Sequence, residues 1–219
     1  MRDARSSFVP YFKFEEGCRT NEYMNETYPS SIVPKRAVHL IRNPFDNIVA
    51  RFHMSVRSRK KLGGWRGDEA AAFTNNREGL LAWCKYGVNQ YPKDDSSFSE
   101  EARKTLKDVP CHADFLRYVQ WHNHAISVIK DHQLPTHNLF YENYTKDFDG
   151  TVKHLLNFLQ LPLRDHPKPF ITGKAYTEWF DPKEAQAVAR LVREAASPEC
   201  WALLRHYVEE WIDESDKGW

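Results

Sequence analysis

The feature that most constrains the fold is the junction between a short apolar run and a helix in the stretch LIRNPFDNIVARF, Leu40–Phe52. The preceding run RAVHLIR, Arg36–Arg42, is short and apolar, which is typical of a buried strand. Asn43 is a favourable N-cap and Pro44 suits the first helical position, so a helix begins as soon as the strand ends. Apolar residues then recur at helical spacing and predict a helix over about residues 44–60.

A strand that passes directly into a helix is a place where anions bind. In open α/β sheets, ligands gather beyond the carboxyl ends of the strands, and a helix N terminus presents free N–H groups and positive potential. Arg42 adds a planar fork suited to phosphate or sulfate. We therefore expect an anion site. The alternative is a strand-end arginine that pairs with a carboxylate such as Asp46, which could also reach back to the cap as a capping-box variant.

Further along the chain, helical patterns surround a second extended segment. Helices are predicted in REGLLAWCKYG, ADFLRYVQWHNHAISVIKDH and DFDGTVKHLLNFLQL, and a strand in THNLFYENY. DPKEAQAVARLVREA and ECWALLRHYVEEWI predict two closing helices, the first with Asp181 as N-cap and Pro182 after it. Residues 1–35 mix aromatic, charged and proline residues, and this pattern predicts an irregular segment. Strands separated by long helices favour an α/β fold with a parallel sheet.

Charge, hydropathy and cysteine spacing argue against several partners. Lys and Arg number 31 against 30 Asp and Glu, whereas nucleic-acid-binding domains usually show a basic excess. No apolar run approaches the ~20 residues needed to span a bilayer. The four cysteines form no C-x-x-C pair. We expect no nucleic-acid partner, no membrane segment in this chain and no metal. Cys84 and Cys111 could form a disulfide or remain buried thiols, and the sequence leaves both open.

A second segment strengthens the anion hypothesis. NLFYENYTKDFDGTVKHLLNFLQLPL, Asn138–Leu163, couples a strand ending in Tyr141-Glu142 to a helix ending in Leu-Pro. Together with LIRNPFDNIVARF, it resembles the sulfotransferase superfamily, whose members use 3′-phosphoadenylyl sulfate (PAPS). The first stretch is similar to the family's 3′-phosphate-binding motif and the second to its YEDL segment. The resemblance covers residues 37–163, and RNPFD resembles the branch of WSC-domain sulfotransferases and algal relatives.

The resemblance implies a particular α/β architecture. It is a three-layer α/β/α sandwich with a central parallel sheet, related to the P-loop nucleotide kinases and incomplete at its N terminus. Residues 1–219 would form a single sulfotransferase-like domain. That domain would comprise an irregular segment 1–35, a best-matched core 36–163 and C-terminal helices 164–219.

The resemblance also implies which residues bind the nucleotide. Arg42 would bind the 3′-phosphate, and Tyr141 would lie near the adenine. The family commonly has a serine eight residues after the arginine; this position is Ala50 here, so Asn47, one turn earlier, would donate instead. Lys174, in ITGKAY, falls near the family's basic C-terminal phosphate-binding loop. The usual Arg-Lys-Gly is not present there, and a surface lysine is the alternative.

Two parts of the family pattern have no counterpart in these residues. No G-x-x-x-x-G-K-[ST] occurs, and no segment before Arg36 fits the phosphosulfate loop. The catalytic base is unknown, since no histidine precedes His39 and none of the upstream glutamates stands out.

The sequence therefore favours a PAPS-dependent sulfotransferase that acts on a hydroxyl or amine acceptor, with carbohydrate as a candidate. The alternative is a truncated or decayed, non-catalytic nucleotide-binding or interaction domain. An upstream membrane anchor would place the protein in the Golgi lumen, and without one it would be cytoplasmic.

Overall fold

The computed structural model describes residues 12–15, 18–21, 26–29, 34–61, 73–90, 106, 108–169 and 176–212. Lys174 lies outside these residues. The described part is a mixed α/β structure of two small sheets and several helices. None of the helices within it is long and apolar enough to cross a membrane.

A parallel pair of strands positions the candidate site. The pair consists of β4 (Ala37–Ile41) and β5 (Thr136–Phe140), numbered after three short N-terminal strands. The two strands run in register from their first to their last residues. The Tyr141 N–H donates to the Ile41 carbonyl at 2.8 Å, which extends the pairing past the strand ends. Both predicted strands and the parallel sheet are thus confirmed, and the carboxyl ends of the strands lie side by side.

The helices follow the predicted order. They are α1 (Pro44–Lys61), α2 (Arg77–Gln90), α3 (His112–Asp131), α4 (Asn143–Lys146), α5 (Phe148–Leu159), α6 (Pro182–Ala195) and α7 (Pro198–Leu204). Short 3-10 turns span Thr177–Trp179, Arg205–Tyr207 and Glu209–Trp211. The last predicted helix is therefore shorter than expected, because it gives way to 3-10 turns after Leu204. Asp181 caps α6 through a full capping box with Glu184, as its sequence indicates.

Three N-terminal strands correct the prediction that residues 1–35 are irregular. β1 (Phe12–Glu15), β2 (Cys18–Asn21) and β3 (Glu26–Pro29) form an antiparallel sheet. Aromatic and β-branched residues such as Phe12, Phe14 and Thr20 favour strands. The pattern is hard to recognise because each run is only four residues long and is interrupted by charged side chains.

The hydrophobic core lies on one face of the parallel pair. Residues of α1, α3 and α6 pack there with Ile41 of β4. The rings of Phe45, Phe115 and Phe180 meet edge to face, with centroids 5.1 to 5.7 Å apart. Each fully buried side chain of this size contributes about 1.5–3 kcal/mol to folding. On the opposite face α5 covers β5, so helices contact both faces of the pair.

A disulfide joins two of the core helices. Cys84 of α2 is bonded to Cys111, which immediately precedes α3, and both residues are buried. Of the two possibilities that the sequence left open, a disulfide or two buried thiols, the structure has the disulfide. The bond closes a loop with a sequence separation of 27 residues. Such a crosslink lowers the conformational entropy of the unfolded chain. It therefore stabilises the folded state, in which α2 packs against α3.

Removing this disulfide should lower the free energy of unfolding by about 2–4 kcal/mol, the usual effect of a native crosslink. The measurement is urea denaturation of Cys84→Ala/Cys111→Ala and of the unaltered chain, each with and without reductant. Reductant should destabilise the unaltered chain and leave the double variant unchanged. Equal stability of the oxidised and reduced chains would contradict the stabilising role of the bond.

Candidate functional site

The candidate site lies where β4 and β5 end side by side. Arg42 follows β4 and Tyr141 follows β5, so the parallel pairing brings them together. The guanidinium carbon of Arg42 lies 4.6 Å from the centroid of the Tyr141 ring, in cation–π geometry. The Arg42 Nε atom is buried and has no hydrogen-bond partner within the described part of the chain. A buried donor left without an acceptor suits a ligand that brings one, such as an anion.

The N terminus of α1 is capped by the chain itself. Asn43 Oδ1 accepts from the N–H groups of Phe45 at 2.9 Å and Asp46 at 3.4 Å, which confirms the predicted N-cap. Pro44 has no N–H, and the Asn43 N–H donates to Glu142 Oε1 at 2.8 Å. The prediction that this helix presents free N–H groups is therefore wrong. An anion beside Arg42 would have to be held by side chains.

Asp46 neither pairs with Arg42 nor closes a capping box with Asn43, the two roles that its sequence position suggests. Its Oδ1 accepts from the Tyr176 N–H at 2.7 Å, and the Asn43 N–H binds Glu142 instead, so no capping box forms. Among the ion pairs of the described residues there is none between Asp46 and Arg42. Burial raises the pKa of Asp46 above its ordinary value, and the Tyr176 N–H and the Arg42 charge partly offset this rise.

Glu142 links the site to the C-terminal part of the chain. One carboxylate oxygen accepts from the Asn43 N–H, and the other accepts from the Tyr207 hydroxyl at 2.5 Å. From α3, the Tyr118 hydroxyl donates to the Arg42 carbonyl at 2.6 Å. Burial raises the pKa of both tyrosines, so each stays protonated and can donate. Segments distant in sequence thus fix the Arg42–Asn43 backbone.

The structure brings together two of the residues predicted to bind a nucleotide. Arg42 and Tyr141 are in contact, whereas Asn47 and Ala50 lie one turn apart on α1 and are half-buried. Lys174 lies outside the described residues. Sequence reasoning gave no role to Glu142, although its place two residues beyond the end of a strand was a usable signal.

A buried pair of histidines joins β4 to α3. His39 Nε2 of β4 is 2.7 Å from His122 Nδ1 of α3, and the two residues are only 2% and 3% exposed. Burial lowers the pKa of His39, and it lowers that of His122 to about 3. Both rings are therefore neutral near pH 7, one donating and the other accepting. His124 is exposed, which confirms that His122 and His124 point to different faces. The described residues contain no cluster of three or more metal-ligating side chains.

Comparison with known proteins identifies one family. A family model described as a sulfotransferase domain matches residues 23–184, which is most of the chain. No curated protein and no solved structure gives a match. The matched region contains both strand ends, and thus Arg42, Tyr141 and Glu142.

Acidification should destabilise the protein through the histidine pair. Because burial lowers both pKa values in the folded state, the unfolded chain binds more protons below pH 6.5. The contribution of the pair to stability is thus greatest above that pH. It falls by up to about 1.4 kcal/mol per pH unit for His122 between pH 6.5 and its folded pKa of about 3, and His39 contributes in the same direction. Urea denaturation at a series of pH values measures this slope. His122→Gln should reduce it, and His124→Gln, on the exposed face, should not. Equal slopes for His122→Gln and the unaltered chain would contradict the assignment.

Tyr207→Phe should lower the free energy of unfolding by about 1.5–3 kcal/mol, the usual value for a hydrogen bond to a charged group. The variant keeps the ring and leaves one oxygen of the Glu142 carboxylate without its donor. A double-mutant cycle with Glu142→Gln, measured by denaturation, separates this contact from other effects of each substitution. Strictly additive effects would show that the two side chains are not coupled.

Proposed function

The chain belongs to the sulfotransferase domain family, and we propose that it transfers a sulfuryl group from PAPS to a hydroxyl or amine acceptor, with carbohydrate as a candidate. The observation that carries this proposal is the contact between Arg42 and Tyr141 at two parallel strand ends. It offers a cation and an aromatic ring to the same ligand. The proposal includes the three-layer sandwich, of which the described parallel pair with helices on both faces would be one part.

Each nucleotide-binding residue has a distinct proposed role. Arg42 binds the 3′-phosphate, because its planar fork matches a phosphate and its Nε has no partner among the described residues. Tyr141 lies against the adenine, since an aromatic face suits a nucleobase. Asn47 supplies a side-chain donor on the same helix as Ala50, which has no hydroxyl. Lys174 is the proposed second cation for the phosphate.

Sulfuryl transfer depends mainly on how the protein positions the donor nucleotide and the acceptor. Sulfuryl transfer, like phosphoryl transfer, passes through a loose transition state that is stabilised by fixed cations and donors. PAPS would supply the sulfuryl group, while Arg42 and Tyr141 would hold the nucleotide end away from the reacting atoms. Glu142 and Asp46 are poor candidates for the catalytic base. Each already accepts hydrogen bonds from the protein.

One sequence feature favours a second function. No segment before Arg36 fits the family's phosphosulfate loop, a short turn rich in Gly, Ser, Thr and Lys, and no G-x-x-x-x-G-K-[ST] motif occurs in these residues. A chain that keeps the 3′-phosphate end and lacks the sulfuryl end would bind nucleotide without catalysis. We therefore retain a non-catalytic nucleotide-binding or interaction domain as the alternative. The two functions share the Arg42 site and differ in turnover.

Adenosine 3′,5′-bisphosphate should bind this chain with micromolar affinity, and Arg42→Ala should weaken binding about 10–100-fold, as expected for lost charge-assisted hydrogen bonds. Arg42→Lys should fall between, because lysine keeps the charge without the fork. Titration calorimetry makes the measurement. Arg57→Ala is the matched control, since Arg57 is an exposed arginine of α1, about 20 Å from the start of that helix.

Two results would decide between the functions. Binding together with sulfuryl transfer from radiolabelled PAPS to a panel of hydroxyl and amine acceptors would support the enzyme. Binding without transfer would support the non-catalytic domain. A folded chain that binds no nucleotide, or one in which Arg42→Ala and Arg57→Ala bind equally, would overturn the assignment of Arg42.

A further inference from the structure

The sequon Asn143-Tyr144-Thr145 lies on the surface at the start of α4. Asn143 and Thr145 are both exposed, and the Asn143 amide makes no hydrogen bond with the described residues. Other asparagines of the fold are used structurally: Asn43 caps α1, and the Asn123 amide bonds the backbone of Ala195 and Ser197. Asn143 therefore combines an acceptor motif with a side chain that the fold leaves available.

The Cys84–Cys111 disulfide is an independent observation about the compartment in which the chain folds. Both cysteines are buried, at 5% and 4% exposure, so the bond belongs to the packed core. Structural disulfides form and persist in oxidising compartments and are rare in the cytosol. N-linked glycans are likewise attached to sequons of secreted chains. The crosslink and the available sequon thus indicate the same cellular route.

We propose that Asn143 carries an N-linked glycan, attached as the chain enters an oxidising lumen. The donor is a lipid-linked oligosaccharide diphosphate, supplied by the host's glycosylation machinery. The Asn143 amide nitrogen forms a bond to the anomeric carbon of the first sugar, and the bond from that carbon to the diphosphate oxygen breaks. The lipid diphosphate leaves, and the amide gives up one proton. Thr145 supplies the hydroxyl that completes the acceptor motif.

The glycan would stand at the rim of the candidate site without filling it. Asn143 directly follows Glu142, which turns inward to bind Asn43 and Tyr207, whereas the Asn143 side chain is exposed. Glycosylation at this position therefore leaves the Glu142 contacts intact. The proposal stands apart from nucleotide binding and holds whichever function the Arg42 site serves.

Peptide mapping of the chain isolated from its natural source tests the proposal. Trypsin should release residues 131–146 as one peptide, which contains Asn138 and Asn143. Deglycosylation with peptide N-glycosidase in ¹⁸O water should convert Asn143 to labelled aspartate. Asn138, followed by Leu139 and Phe140, is outside any sequon and should remain unchanged. The same digest without reductant should contain the Cys84–Cys111 crosslink. An unmodified Asn143 in this material would overturn the proposal, with or without the crosslink.

A matched pair of variants tests the motif itself. In a eukaryotic host that secretes the full chain, Thr145→Ala should abolish labelling of Asn143, and Thr145→Ser should retain it. Both variants should keep the Cys84–Cys111 bond, because Thr145 is exposed and is not part of the hydrophobic core. A crosslinked, secreted chain that lacks a glycan at Asn143, or equal labelling in Thr145→Ala and Thr145→Ser, would contradict the inference.

Discussion

The in-register parallel pairing of β4 and β5 is the constraint on which the candidate site depends. It aligns the two carboxyl ends, so the first residues beyond them, Arg42 and Tyr141, meet although they are far apart in sequence. A slip of one residue would turn alternate side chains to the opposite face and separate these ends. Two strands alone are only marginally stable. The pairing therefore relies on α3 and α5, which pack on its two faces.

The hydrogen bonds around the strand ends determine which group remains for a ligand. Asn43 caps α1, Glu142 accepts the Asn43 N–H, and Tyr118 secures the Arg42 carbonyl. Although buried polar groups normally find partners, no acceptor for the Arg42 Nε is found among the described residues. The site thus differs from a helix N terminus that binds anions through its own N–H groups. Its selectivity would come from one guanidinium and one aromatic ring.

The sequence was informative where the signal is local. Helical periodicity predicted α1, α3 and α6, and the Asn43-Pro44 and Asp181-Pro182 pairs located two helix starts. Sequence-based prediction failed where a residue distant in sequence takes the hydrogen bond that a local partner was expected to make. Asp46 could have closed a capping box, but the Tyr176 N–H binds it and Glu142 takes its place at the cap. Tyr207 lies 65 residues from Glu142, so no local pattern could have revealed that contact.

The carboxylates near Arg42 raise the question of how an anion could bind beside them. Two full negative charges, on Glu142 and Asp46, would oppose the binding of a phosphate beside Arg42. Both oxygens of the Glu142 carboxylate accept hydrogen bonds, one from the Asn43 N–H and the other from the Tyr207 hydroxyl, and these donors offset part of its negative charge. Burial raises the pKa of Asp46 above its ordinary value, and its Oδ1 accepts a hydrogen bond from the Tyr176 N–H, which offsets part of its negative charge. The N–H groups of Asn43 and Tyr176 and the Tyr207 hydroxyl therefore do more than hold the backbone. They reduce the negative potential that would otherwise oppose the charge of Arg42, so the hydrogen-bond network and the proposed anion site form one electrostatic unit.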